Sequence, residues 1–237
     1  MAQWLDICVC ACAVIVPAAV YGGMFQEALG GMMSPHMWFG WHPVLMSTAF
    51  SGFMVLGRWS YILDSSWGLG RPAQRKLHLV MMAAGVLVAL LGYLAIYKAH
   101  YPQGMFFGYD FKHGQWKEWK RIAHGWIGYL ALILACFQAS TGLLKLSSLQ
   151  RGRRTLTFHG SLGKIVLALG ATCVLLAVGF WTAWGPGLRF VVAAGAACAA
   201  ALSVLAAPGR AAAGPEEELE ETEEESSASG EKSSFVE

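Results

Sequence analysis

Charge is what this chain has least of. Of its 237 residues only 14% are Asp, Glu, Lys or Arg, against 56% hydrophobic, and the mean hydropathy is +0.47. That balance excludes an ordinary soluble domain and points to a membrane protein. Carboxylates are scarcer still in the apolar runs, where Asp6 stands alone, and helix-breaking prolines are few. A transporter that relays protons or carries a metal ion through broken helices would need more of both, so that alternative is disfavoured. Cysteine–histidine metal spacing is also lacking. Cys8, Cys10, Cys12, Cys136, Cys173 and Cys198 all lie inside apolar runs rather than in loops where an oxidising compartment would pair them, and they read as small packing residues. Nothing suggests nucleic acid.

What the chain has instead is long apolar runs. Six can cross a hydrocarbon core of ~30 Å, which takes about 20 residues: Trp4 to Gly22, Gly40 to Leu63, Leu77 to Tyr97, Ile122 to Leu146, His159 to Trp184 and Leu188 to Ala207. Backbone groups in lipid must be satisfied within the segment, so each is expected to be a helix. The first run lacks a basic start and is read as a membrane helix rather than a removed leader. The expected fold is therefore an all-α integral membrane protein, with residues 1–207 as one six-helix domain. Residues 208–237, with Glu216 to Glu218 and Glu223 to Glu225 among their acids, form an acidic tail expected to be disordered. The basic loops after helices 2 and 4 place both termini in the cytoplasm by the positive-inside rule.

Histidine is the recurring feature. Trp41-His42-Pro43 opens the second run, Arg75-Lys76-Leu77-His78 the third, Arg121-Ile122-Ala123-His124 the fourth and Thr157-Phe158-His159 the fifth. A proline is tolerated in a helix's first turn, so His42 is expected near a helix start. An ionisable side chain in a membrane segment is costly unless it has a role, and four at equivalent positions outweigh the alternative of isolated interface residues. Successive helices are antiparallel, so His42 and His124 fall near one face and His78 and His159 near the other. The expected pattern is two pairs, not a cluster of four.

Two imidazoles per site undersupply a structural zinc. They suit a haem, whose macrocycle provides four equatorial nitrogens and takes two axial ligands from the protein. With both axial positions filled, such a group serves one-electron transfer. Helices 4 and 5 share a short repeat, His124-Gly125-Trp126-Ile127-Gly128 and His159-Gly160-Ser161-Leu162-Gly163, in which a glycine one turn after the histidine leaves room for something flat. Gly85 and Gly92 on helix 3 permit close approach of a neighbour or of a flat ligand. Arg58 is expected to snorkel toward the cytoplasmic headgroups. The reading is a central four-helix bundle, helices 2 to 5, flanked by peripheral helices 1 and 6.

Across about residues 40 to 185 these motifs resemble the cytochrome b561 family in its compact six-helix branch. The resemblance rests on Trp41-His42-Pro43-Val44-Leu45-Met46-Ser47, the basic-then-histidine start of helix 3 and the His-Gly starts of helices 4 and 5. It implies two haems b per chain, with axial pairs His42 with His124 and His78 with His159, and no catalytic residue beyond these ligands. It also implies that cytoplasmic ascorbate donates electrons that leave on the other side to monodehydroascorbate or ferric chelates, in an endomembrane or the plasma membrane. Met82 stands where some members carry a further histidine, so His78 must serve alone. Ascorbate is an anion, and the basic residues before His78 (Arg71, Arg75 and Lys76) and before His159 (Arg151, Arg153 and Arg154) would raise its concentration at a cytoplasmic mouth. On the other face His113 matches a histidine that plant-like members use for the outer substrate, with Lys117, Lys120 and Arg121 nearby. A haem-binding subunit of a larger electron-transfer complex is the other alternative, and a homodimer is left open.

Overall fold

Amide groups in hydrocarbon find no water, so each apolar run closes its hydrogen bonds along its own axis. The computed structural model describes residues 2–62, 69–153 and 155–206, and it contains six helices in series. They are α1 (Ala2–Phe25), α2 (38–59), α3 (Arg71–His100), α4 (Trp119–Gln150), α5 (His159–Phe180) and α6 (Pro186–Leu205). Five of them, all but α2, are each long and apolar enough to cross a membrane. The sixth, α2, is continuous but not uniform: α-helix over Trp38–Ser47, a π turn over Thr48–Phe53, then α-helix over Met54–Trp59. The chain is thus an all-α membrane protein. Leu63 and the acidic tail fall outside the described residues.

The π turn has a local cause. The Ser47 and Thr48 hydroxyls both donate to the Val44 carbonyl, at 3.0 and 2.7 Å, and such back-bonding loosens the regular ladder. The helix ends also differ from the apolar boundaries. α3 begins at Arg71, with Pro72 in its first turn, and α4 runs on to Gln150, because polar turns continue a helix beyond the lipid. Consequently only His159 opens its helix. His42 lies one turn inside α2, with Pro43 within the helix rather than at its first position, and His78 is two turns inside α3.

Helices α2 with α3 and α4 with α5 form two closely packed antiparallel hairpins, while α3 and α4 touch sparingly. α1 and α6 pair on one flank and pack against α2 and α5 respectively, so α1 is more than a lipid-facing accessory. Val9, Ala13 and Val16 of α1 are fully buried, and Asp6 accepts a hydrogen bond from Trp59 Nε1 at 2.8 Å. The Arg58 guanidinium donates to the Ala206 carbonyl at 3.3 Å, serving the C-terminal end of α6.

The segment between α3 and α4 folds as a three-stranded antiparallel sheet, β1 (Met105–Phe106), β2 (Tyr109–Asp110) and β3 (Gln115–Trp116), in that order. Its first hairpin turns through Phe107 and Gly108, both with positive φ. A side chain at position 108 would strike Ile122 of α4, so the sheet sits directly on the start of that helix.

Candidate functional site

The antiparallel hairpins bring the four histidines together in two pairs. His42 faces His124 with ring centres 6.2 Å apart and planes at 83°; His78 faces His159 at 6.4 Å and 74°. Two imidazoles bonded to opposite sides of one metal at about 2 Å each have ring centres roughly 6 Å apart. Both pairs match that spacing.

Each ring is held by its other nitrogen. His42 Nδ1 lies 3.0 Å from the Gly92 carbonyl, His78 Nδ1 2.7 Å from that of Gly57, and His124 Nδ1 3.0 Å from that of Cys173. A carbonyl can only accept, so each Nδ1 carries the proton and Nε2 is left as the free electron-pair donor, the arrangement a metal-ligating imidazole needs. The bonds are reciprocal within a hairpin: α2 holds the histidine of α3, and α3 that of α2. Fourteen residues separate His78 from Gly92 on α3 and His159 from Cys173 on α5, about 21 Å of helix. On α2 the interval from His42 to Gly57 is fifteen, and the π turn absorbs the extra residue. The two pairs therefore lie at opposite depths in the bundle.

His159 departs from this pattern. Fourteen residues after His124 stands Gln138, but its carbonyl accepts from Thr141 Oγ1 at 3.1 Å, and that oxygen lies 3.4 Å from His159 Nδ1. Thr141 is thus interposed as a relay, and the Gln138 amide donates back to the His159 carbonyl. A Cβ on Gly163 would press on Gln138, so that glycine serves helix contact rather than an open shelf. Gly85 and Gly92 likewise admit Met54 and Leu45 of α2, not a ligand.

A cavity of about 470 Å³ surrounds the His42–His124 pair, well within the range of cofactor sites. Gly125 and Gly128 floor it: a Cβ on the first would meet nothing within 4 Å and on the second only Cys173 Sγ at 3.9 Å. The walls are mostly aromatic and aliphatic, including Phe50, Tyr93, Tyr129 and Trp181. Among the described residues neither histidine pair has a third His, Cys, Asp or Glu ligand within reach. Two trans imidazoles beside an apolar, glycine-floored slot fit a planar macrocyclic metal group better than a bare ion.

The charged residues are distributed unevenly. Arg71, Arg75 and Lys76 occupy the first turns of α3, before His78, and Arg75, Lys76 and Arg153 are exposed; Arg154 lies outside the described residues. His113 is exposed on the β2–β3 turn, where its Nδ1 is 3.0 Å from Asp110, and it does not line the cavity around His42 and His124. Lys117 and Arg121 do line it, as does His100 at the end of α3, which the sequence pattern did not single out. Arg121 also stacks over Phe180, whose ring meets His124 edge-on. Asp110 binds Lys117 Nζ at 2.9 Å, and that ammonium, followed by His113, holds its carboxyl well below the usual carboxylate range.

Comparison with known proteins agrees with this geometry. The family model described as "Eukaryotic cytochrome b561" matches residues 41–184. The mouse protein named "Transmembrane reductase CYB561D2" is 31% identical over 152 residues, 62% of this chain and 62% of that protein, and its human counterpart is 32% identical over 144 residues, 58% and 60% of the two. The mouse "Plasma membrane ascorbate-dependent reductase CYBRD1" is 27% identical over 118 residues, half of this chain and 36% of that protein. The matched stretch spans less than two thirds of each relative's length. With more than half of its length matched by that family model, and the model's limits enclosing all four paired histidines, the chain belongs to the eukaryotic cytochrome b561 family.

Proposed function

We propose that this protein carries electrons across a membrane through two haems b, one at each histidine pair, from cytoplasmic ascorbate to monodehydroascorbate or a ferric chelate on the opposite side. The two imidazole pairs at metal-spanning separation carry this reading. Bound there, haem supplies reversible one-electron chemistry. His42 with His124, and His78 with His159, are the proposed axial ligands. The backbone carbonyls of Gly57, Gly92 and Cys173 orient three of them, and Thr141 orients the fourth. Family membership supports haem b, the mouse and human transmembrane reductases support a transmembrane reductase, and the mouse ascorbate-dependent reductase supports ascorbate as donor.

Substrate residues follow from charge. Arg71, Arg75, Lys76, Arg153 and Arg154 are proposed to gather ascorbate at the inner face. Lys117 and Arg121 of the outer cavity are proposed to attract an anionic acceptor. His113 keeps a secondary part at the outer rim through Asp110 and Lys117.

The test is vectorial reduction by protein reconstituted in sealed vesicles, with ascorbate outside and a ferric chelate trapped inside. Internal ferrous iron should appear at a rate proportional to the donor sites that face the external ascorbate, and vanish in His78→Ala. Haem that ascorbate reduces fully, with no internal iron reduced, would overturn the transmembrane route.

A further inference from the structure

Outside the stretch matched by the family model, α1 and α6 bring three thiols together. Cys8 and Cys12 stand one turn apart on α1, Cys198 projects from α6, and their sulfurs all lie within 4.8 Å of one another. Among the described residues this is the only group of three or more His, Cys, Asp or Glu side chains close enough to share one ion. Three sulfurs bonded at about 2.3 Å to a central ion are roughly 4 Å apart, so little movement would close the triangle.

The frame that sets this distance is tight. A Cβ on Gly195 would come within 2.6 Å of Val16, so the two helices are in backbone-close contact one turn from Cys198. Antiparallel packing from that point places Cys198 level with Cys12. Val9, Ala13 and Ala199, all buried in one cluster, fill the seam beneath. Cys8 is six residues into α1, about 9 Å from its start and so about midway between that end and the middle of the helix.

We propose that Cys8, Cys12 and Cys198 form a binding site for a soft monovalent cation, Cu(I) being the ion this donor set selects. Zinc in protein sites takes four ligands, and hard cations take oxygen; three sulfurs without imidazole or carboxylate favour a soft ion of low coordination number. Low charge matters inside a bilayer. Cu(I) displaces one thiol proton to water, giving a neutral ion–thiolate pair that the two remaining thiols complete. No electron is transferred. The site lies in the flanking helices, independent of the histidine pairs.

The experiment is a titration of the full-length, haem-loaded protein in detergent with Cu(I), under anaerobic reducing conditions and against the chromophoric chelator bicinchoninate. One equivalent should be retained by the unaltered protein and by Cys10→Ser and Cys136→Ser. In Cys8→Ser and Cys198→Ser the affinity should fall by more than the roughly 10–100-fold that loss of an outer-sphere partner costs. The haem absorption spectrum should be the same in all five, which separates ligand loss from misfolding. Failure to retain copper against the chelator, or retention unaffected by Cys8→Ser and Cys198→Ser, would overturn the proposal.

Discussion

At the scale of single residues, the least conspicuous member of the site is Thr141. Its hydroxyl stands where the other three rings meet a carbonyl, and it passes the His159 Nδ1 hydrogen bond on to Gln138. Thr141→Val keeps the shape and removes the relay, so haem affinity at the His78–His159 pair should fall roughly 10–100-fold while the His42–His124 pair is unaffected. Haem titration with two resolved spectral components measures this; equal loss at both sites would contradict it. At the proposed donor site, Arg75→Glu with Lys76→Glu should raise the KM for ascorbate several-fold, more at low salt, and leave kcat near its original value. The ligands themselves were legible in sequence, because a histidine that recurs beside each apolar run is visible without any fold. Thr141, Gly57, Gly92 and Cys173 were not. They lie fourteen to seventeen residues from a histidine on the same helix, and only the antiparallel pairing of neighbours gives that interval meaning. His100 gives no signal in sequence because it lies beyond the apolar run, although α3 carries it to the cavity wall.

At the scale of elements, α2 and α5 meet where Gly170 accepts the Phe50 ring of the π turn. A methyl group there collides with that ring, so Gly170→Ala should cost about 1–3 kcal/mol by overpacking, read as a lowered midpoint in thermal unfolding of the haem-loaded protein. The six apolar runs showed the helices, but not the π turn. Hydropathy carries no sign of Ser47 and Thr48 competing for one carbonyl, and that competition is what brings α2 into phase with α3. Helix ends were misjudged for a related reason: Arg71 to Lys76 are polar and helical at once. The sheet between α3 and α4 has a defined pH response. Asp110 has its carboxyl depressed by Lys117 and then by His113, so its contribution to the loop is present above about pH 4, the ordinary carboxylate value. It is lost only as pH falls through the depressed value. Hydrogen exchange at residues 108–117 should stay protected from pH 7 down to pH 4 and quicken below, whereas in Asp110→Asn it should be fast throughout.

At the scale of the whole molecule, two antiparallel hairpins each contribute one histidine to each depth, and α1 with α6 braces one flank. Neither site is complete within one hairpin, so haem binding couples the halves across the sparse α3–α4 contact, and loss of haem should loosen that contact first. The transporter alternative finds no support here, since the paired rings point at each other rather than along a path. On the proposed function, each histidine pair holds one haem. The haem-to-protein ratio of the purified protein and of His42→Ala and His78→Ala tests it most directly, read from reduced-minus-oxidised spectra with ascorbate and then dithionite. The expected ratios are two, one and one, with His78→Ala also losing fast reduction by ascorbate. A ratio of one in the unaltered protein, or two in either variant, would contradict it.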